Sequence, residues 1–258
     1  MNAPVRKSPI LAAASVAGDT HVGLIRNSNE DSYLYVDRPE SNALLAAVAD
    51  GMGGHEFGEV ASFLAMRYVL QEWQGRDGQP ILTREDGTGF IYRALHLAND
   101  HIYHVNRELK IRWCMGTTVT LGVFFLNKLV IAQVGDSRCY RVRRRNVKLL
   151  TTDQSWREEM VQNGIMTEGE AAAHPLSNML TNCVGAMKTL KIEFTVETVR
   201  PGERYLFCTD GLSSMVPDDR IFKVMRGTRT PAEAIAELVR YSLHAGGTDN
   251  ITAVGVFL

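Results

Sequence analysis

Cysteine is scarce in this chain of 258 residues: there are four, at positions 114, 139, 183 and 208. None forms a CxxC pair and none has a histidine at ligand spacing, so neither a zinc site nor a disulfide framework is supported, and a reducing cytoplasm is the expected compartment. An excess of one charge is also missing. Lys and Arg number 28 against 29 Asp and Glu, for a net charge of -1. Nucleic-acid grooves and membrane-surface proteins carry a basic excess, so no nucleic-acid or membrane partner is expected. No apolar run approaches the ~20 residues that span a bilayer. The stretch after Arg6-Lys7 is short, mostly alanine and interrupted by Pro9, which makes a poor secretory leader. Several motifs are absent as well: no Walker lysine follows a glycine loop, no GxSxG elbow occurs, and the acid alternation of an EF-hand is missing. Gly51-Met52-Gly53 begins like a dinucleotide fingerprint, but Glu56 takes the third glycine position and Asp50 would repel a pyrophosphate.

What is present suffices for one sizeable core, with 45% hydrophobic residues and nothing that forces a second domain. We expect a flexible tail over residues 1–12 and a single domain over 13–258. Ser15 to Ile25 reads as a first strand broken at Gly18 and Gly23, and Ser32 to Val36 as a second. The apolar run Ala43 to Val48 reads as a buried strand. A helix follows from Glu59 to Trp73, with Val60, Phe63, Leu64, Leu70 and Trp73 on its apolar side. Gly75 to Gly89 reads as a surface loop, and the stripe Ile91, Ala94, Leu95, Ala98, Ile102, Val105, Leu109 as a long helix. From Met115 the period becomes that of strands and implies antiparallel hairpins through Arg143. The basic cluster Arg141, Arg143, Arg144, Arg145 reads most simply as an edge strand protected by charge, with a docking patch for acidic or phosphorylated partners as the alternative. Residues 151–183 are irregular, with short helical patterns at Trp156 to Gln162 and Thr167 to Ala173. Two more strands lie at Lys191 to Thr198 and Tyr205 to Thr209. Thr230-Pro231-Ala232-Glu233 is a capping box that opens a last helix, and Ile251 to Leu258 is a last strand.

Asp50, Asp136, Asp210 and Asp249 each sit against a strand end with glycine adjacent or close by. An isolated Asp-Gly is ordinary loop punctuation. A recurrence at the ends of separate strands is most economically explained by convergence in space. Crowded carboxylates persist only if a cation neutralises them or one is protonated. Oxygen ligands without Cys or His select Mg2+ or Mn2+, and a pair of such ions is the usual device for activating water and gripping a phosphoryl group. A phosphate hydrolase follows.

The set Arg26…Asn29-Glu30-Asp31, Asp50-Gly51-Met52-Gly53-Gly54-His55, Gly116-Thr117-Thr118, Gly135-Asp136-Ser137-Arg138, Cys208-Thr209-Asp210-Gly211-Leu212 and Gly247-Thr248-Asp249-Asn250-Ile251-Thr252 resembles, in family order, the PP2C (PPM) metal-dependent serine/threonine phosphatases of compact bacterial type. The resemblance implies an α+β fold, a four-layer α-β-β-α sandwich of two antiparallel sheets flanked by helices. It implies two Mn2+ or Mg2+ ions and a third, weaker one. Asp50 would bridge the pair, the Gly51 carbonyl would bind one ion, Asp210 and Asp249 would complete the pair, Asp136 with Asp210 would hold the third, and Asp31 would act through bound water. A metal-bridging hydroxide would attack phosphoserine or phosphothreonine, with Arg26 clamping the phosphate and His55 as the candidate proton donor. His55 lies three residues beyond the shorter DGH form of the family. Phosphorylated proteins, and a cognate Ser/Thr kinase that the enzyme opposes, are the implied partners of a cytoplasmic monomer.

The chain departs from the family pattern at Asp153-Gln154-Ser155, where DHS is frequent, and at Thr181-Asn182-Cys183-Val184-Gly185, where TRALG is frequent. Residues 157–179 would form a flap over the site. Two other readings are open: an inactive module that binds phosphoproteins, and a phosphohydrolase acting on a small molecule. A shallow cleft would favour peptides and a closed pocket metabolites.

Overall fold

A strand with no polar face has to be covered on both sides, and several stretches of this chain meet that condition. The computed structural model describes residues 7–37, 42–53, 57–76, 79–111 and 114–258. In chain order its strands are β1 (Ser15–His21), β2 (Asp31–Asp37), β3 (Ala43–Met52), β4 (Gly116–Thr117), β5 (Val119–Phe125), β6 (Lys128–Val134), β7 (Arg138–Val142), β8 (Val147–Leu149), β9 (Glu193–Thr198), β10 (Arg204–Cys208) and β11 (Ile251–Phe257). Its helices are α1 (Pro9–Ala12), α2 (Gly58–Gly75), α3 (Arg84–Glu108), α4 (Trp156–Gln162), α5 (Glu168–Ala172), α6 (Asp210–Ser213), α7 (Asp218–Gly227) and α8 (Pro231–His244).

The strands form two sheets, ordered β1-β11-β10-β7-β8 and β2-β3-β5-β6-β9, with the short β4 added to β3; all the pairings are antiparallel. Helices α2 and α3 cover the outer face of the second sheet through Ala65, Val69, Ile91 and Leu95. Helices α7 and α8 cover the outer face of the first through Ile221, Met225, Ile235 and Leu238. Between the sheets lie Leu44, Phe124, Tyr205, Phe207 and Val254. Phe124 meets Tyr205 edge-on at 5.2 Å, a favourable aromatic geometry that fills the layer. The four-layer sandwich is therefore the architecture of the chain.

Several local expectations shift. The strand β1 runs unbroken through Gly18, where a Cβ would meet the Tyr33 ring at 2.8 Å, so the glycine permits close packing of β1 on β2 rather than ending the strand. Residues 9–12, expected to be part of a loose tail, form α1 and bury Leu11 between the sheets. Phe63 is exposed, whereas Ala61, Ser62, Ala65, Met66 and Val69 face the core, because small side chains let α2 lie close on its sheet. The long helix starts at Arg84, inside the expected loop, on a capping box of Thr83 and Asp86. The capping box at Thr230 and Glu233 is present as read. Of the basic cluster, Arg141 pairs with Glu197 and Arg143 with Glu203. Helix α7 lies outside the elements expected from the sequence, because its buried apolar residues Ile221, Val224 and Met225 form only a single narrow stripe.

Candidate metal centre

Strand ends from both sheets bring the acids together. Asp31 opens β2 and is the direct partner of Asp50 across the pair with β3. Asp136 sits in the turn from β6 to β7, Asp210 opens α6 straight after β10, and Asp249 lies two residues before β11. Asp50, Asp136, Asp210 and Asp249, with Arg26 and Gly51, line one cavity of about 590 Å³. The four strand-end aspartates singled out by the sequence do converge.

Glycine is required where the backbones close on each other. A Cβ on Gly51 would stand 2.1 Å from the Gly58 carbonyl, and one on Gly211 would stand 1.9 Å from the Asn250 carbonyl. The Asp-Gly turns thus leave room for peptide groups rather than merely bending the chain. Hydroxyls and amides hold the acids in place. Thr118 Oγ1 accepts from the Asp50 N–H at 2.9 Å, and the Thr117 hydroxyl donates to the Asp50 carbonyl at 2.9 Å. Thr209 donates to Asp31 Oδ2 at 2.8 Å. Asn250 accepts from the Glu30 N–H and donates to the carbonyls of Val22 and Ser28, which ties the 22–30 loop carrying Arg26 to the Asp249 turn. These threonines and Asn250 lay inside the quoted motifs without an assigned role; their signal was the repeated hydroxyl or amide beside each acid.

The electrostatics are those of an over-concentrated negative site. Burial, then the charges of Asp31, Asp210 and Asp136, push the Asp50 carboxyl well above its ordinary range. Asp31 rises to about 7, first through burial, against the opposing hydrogen bonds of Thr252 and Thr209. Asp136 rises to about 7 through burial and then through Asp210 and Asp153. Burial and Asp249 raise Asp210 too, and its side chain is hydrogen-bonded to that of Asp50. Arg26 donates to Asp249 Oδ2 at 2.7 Å. Asp31 Oδ1 and Asp210 Oδ1 are buried without a hydrogen-bond partner among the described residues.

Orphaned carboxylate oxygens in an all-oxygen donor set fit a hard divalent cation. Among the described residues no three His, Cys, Asp or Glu side chains are drawn close enough to hold an ion as they stand. The raised carboxyls and the Arg26 contact ease the repulsion, and a cation would take over both tasks. Asp136 and Asp210 also line a smaller adjoining cavity of about 120 Å³ with Arg138, Asp153 and Asn178. His55 lies outside the described residues.

A family model described as protein phosphatase 2C matches residues 20–242. The serine/threonine phosphatase Stp of Listeria monocytogenes is 30% identical over 236 residues, covering 91% of this chain and 92% of that protein. The S. agalactiae serine/threonine phosphatase has a similar structure, with a TM-score of 0.88 at 28% identity over 95% of this chain and 99% of that one. The catalytic domain of the serine threonine protein phosphatase PstP, solved in complex with 2 manganese ions, superposes with a TM-score of 0.81 at 30% identity, covering 95% of this chain and 97% of that chain.

Proposed function

We propose that this chain, which belongs to the protein phosphatase 2C family, removes phosphate from phosphoserine and phosphothreonine in proteins with the help of two Mn2+ or Mg2+ ions. The observation that carries this reading is the convergence of carboxylates from both sheets, two of them with orphaned buried oxygens, beside one arginine. Asp50, the Gly51 carbonyl, Asp210 and Asp249 would hold the pair, and Asp136 with Asp210 a third ion. Bound there, the ions supply an activated water and neutralise the charge of the phosphoryl group. The chain's own residues do the rest. Arg26 binds the phosphate oxygens through its guanidinium fork. Asp31, held by Thr209, orients water at the inner edge of the cluster. His55 is the proposed proton donor to the leaving serine or threonine oxygen.

The rim favours a protein substrate over a metabolite, because Arg26 and Met179 stand exposed at the mouth and leave the cavity open. An inactive binding module is disfavoured, since clustered unpaired carboxylates are costly to keep without a cation to use them. The opposing activity is a Ser/Thr kinase acting on the same proteins, and the chain works as a cytoplasmic monomer; among the described residues no helix is long and apolar enough to cross a membrane. Phosphate release from a phosphothreonine peptide tests the reading. Release in Mn2+ or Mg2+ that stops in excess EDTA is expected, and undiminished release in chelator would sink it.

A further inference from the structure

The two places where the sequence departs from its family touch each other. Asn182 Nδ2 donates to Gln154 Oε1 at 2.7 Å, and both residues are buried. The same Gln154 oxygen accepts from the Gly135 N–H at 2.8 Å, on the residue before Asp136. Backbone groups complete the junction: the Gln154 N–H donates to the Gly135 carbonyl at 2.9 Å, and the Gln154 carbonyl accepts from the Thr181 N–H at 2.9 Å. Asn182 donates also to the Lys191 carbonyl at 2.7 Å. Residue 154 therefore ties together the Asp136 turn, the outgoing limb of the 155–181 excursion and its returning limb.

Chemistry makes the two departures compatible with each other. An amide oxygen has two lone pairs, and here each has a donor, whereas a neutral imidazole has a single acceptor nitrogen and could not serve Gly135 and Asn182 together. A guanidinium in place of Asn182 has no acceptor to spare on the Gln154 oxygen, which already serves Gly135, and would turn instead to the carboxylates of Asp153, Glu158 and Glu193 that line the adjoining cavity. The turn itself has no slack. Gly135 has φ +92, and a Cβ there would stand 2.6 Å from Thr118 Cγ2, on the residue whose hydroxyl holds the Asp50 N–H.

We propose that Gln154 and Asn182 form an amide clasp, a pair of positioning residues that sets the Asp136 turn and the base of the 155–181 excursion as one unit. Its consequence for cation binding rests on the reading of Asp136 as a ligand; the clasp itself does not. Hydrogen exchange distinguishes the two. In the unsubstituted protein the amides of Gly135 and Thr181 are expected to open with the same equilibrium constant, rising in parallel with mild denaturant. In Gln154→Met, which keeps the shape and removes the polar atoms, exchange at Gly135 should rise ~10-fold or more while amides in the centre of β5 stay unchanged, the loss expected for one buried hydrogen bond. Asn182→Ala should raise it less, and the double variant should be no faster than Gln154→Met alone, because the two act on one contact. Mn2+ affinity measured by calorimetry should weaken in Gln154→Met. Independent opening of Gly135 and Thr181 in the unsubstituted protein, unchanged exchange in Gln154→Met, or additive effects in the double variant would each overturn the clasp. Altered exchange with unchanged Mn2+ binding would keep the clasp and overturn only its role at the cation site.

Discussion

The Arg26 guanidinium donates to Asp249 Oδ2 at 2.7 Å, joining the proposed phosphate clamp to one of the proposed metal ligands. The pair is largely exposed, at 53% and 33% of the side chains, so it is worth at most ~1 kcal/mol and is readily given up. Asp249, engaged by a cation, would free the Arg26 guanidinium for a phosphoryl oxygen. Arg26→Ala should therefore lower kcat/KM on a phosphopeptide ~10–100-fold, the range for a lost charged hydrogen bond, mainly through KM. Arg26→Lys should recover little, since an ammonium lacks the fork. Steady-state kinetics with both variants checks this.

Stability without metal should depend on pH through Asp31 and Asp136. Both rise from an ordinary value of 3.8 to about 7, chiefly through burial. A carboxyl whose pKa is higher in the fold than in the unfolded chain stabilises the fold while protonated. That contribution is complete below the unfolded value and is lost as pH rises through about 7. Mn2+ binds the ionised form, so the rise in Tm on adding Mn2+ should grow from pH 5 to pH 8. Thermal denaturation with and without Mn2+ across that range measures it.

Asp50→Asn separates stability from activity. The substitution puts a neutral amide where burial and the neighbouring acids oppose an ionised carboxyl, so the metal-free protein at pH 8 should melt higher than the unsubstituted one. Activity should fall by ~10³-fold or more, as expected when a ligand of a cation worth several kcal/mol to the reaction is lost. Differential scanning calorimetry and phosphate release on the same sample read both effects.

Gly211→Ala tests the close approach of the two Asp-bearing turns. Its Cβ would fall 1.9 Å from the Asn250 carbonyl, which forces the turns apart. A loss of ~1–3 kcal/mol is expected, with weakened Mn2+ binding. Gly169→Ala in α5 meets nothing within 4 Å and should stabilise by ~0.5–1 kcal/mol. Chemical denaturation of the two variants gives the comparison.

Much of this was legible because strand ends, turns and caps are written locally. The Asp-Gly pairs at 50 and 210, the Gly-Asp pair at 135–136 and the capping box at Thr230 depend on residues adjacent in sequence, so their placement could be read. Close packing between distant segments could not. Gly18 looked like a break because its partner, the Tyr33 ring, belongs to another strand. The face of α2 was misphased because hydrophobicity ranked Phe63 above Ala61 and Ala65, while the sheet beneath selects small side chains. The contact of Arg26 with Asp249 spans 223 residues and has no local sign in the sequence. Gln154 and Asn182 stood out separately as departures, and only the fold showed them to be one contact.

Isothermal titration of the metal-free protein with Mn2+ near pH 6.5, repeated in two buffers of different ionisation enthalpy, tests the central claim most directly. The account predicts at least two Mn2+ per chain, proton release on binding from the raised carboxyls, and loss of this binding in Asp210→Asn. Absence of Mn2+ binding, or binding in Asp210→Asn that matches the unsubstituted protein, would contradict it.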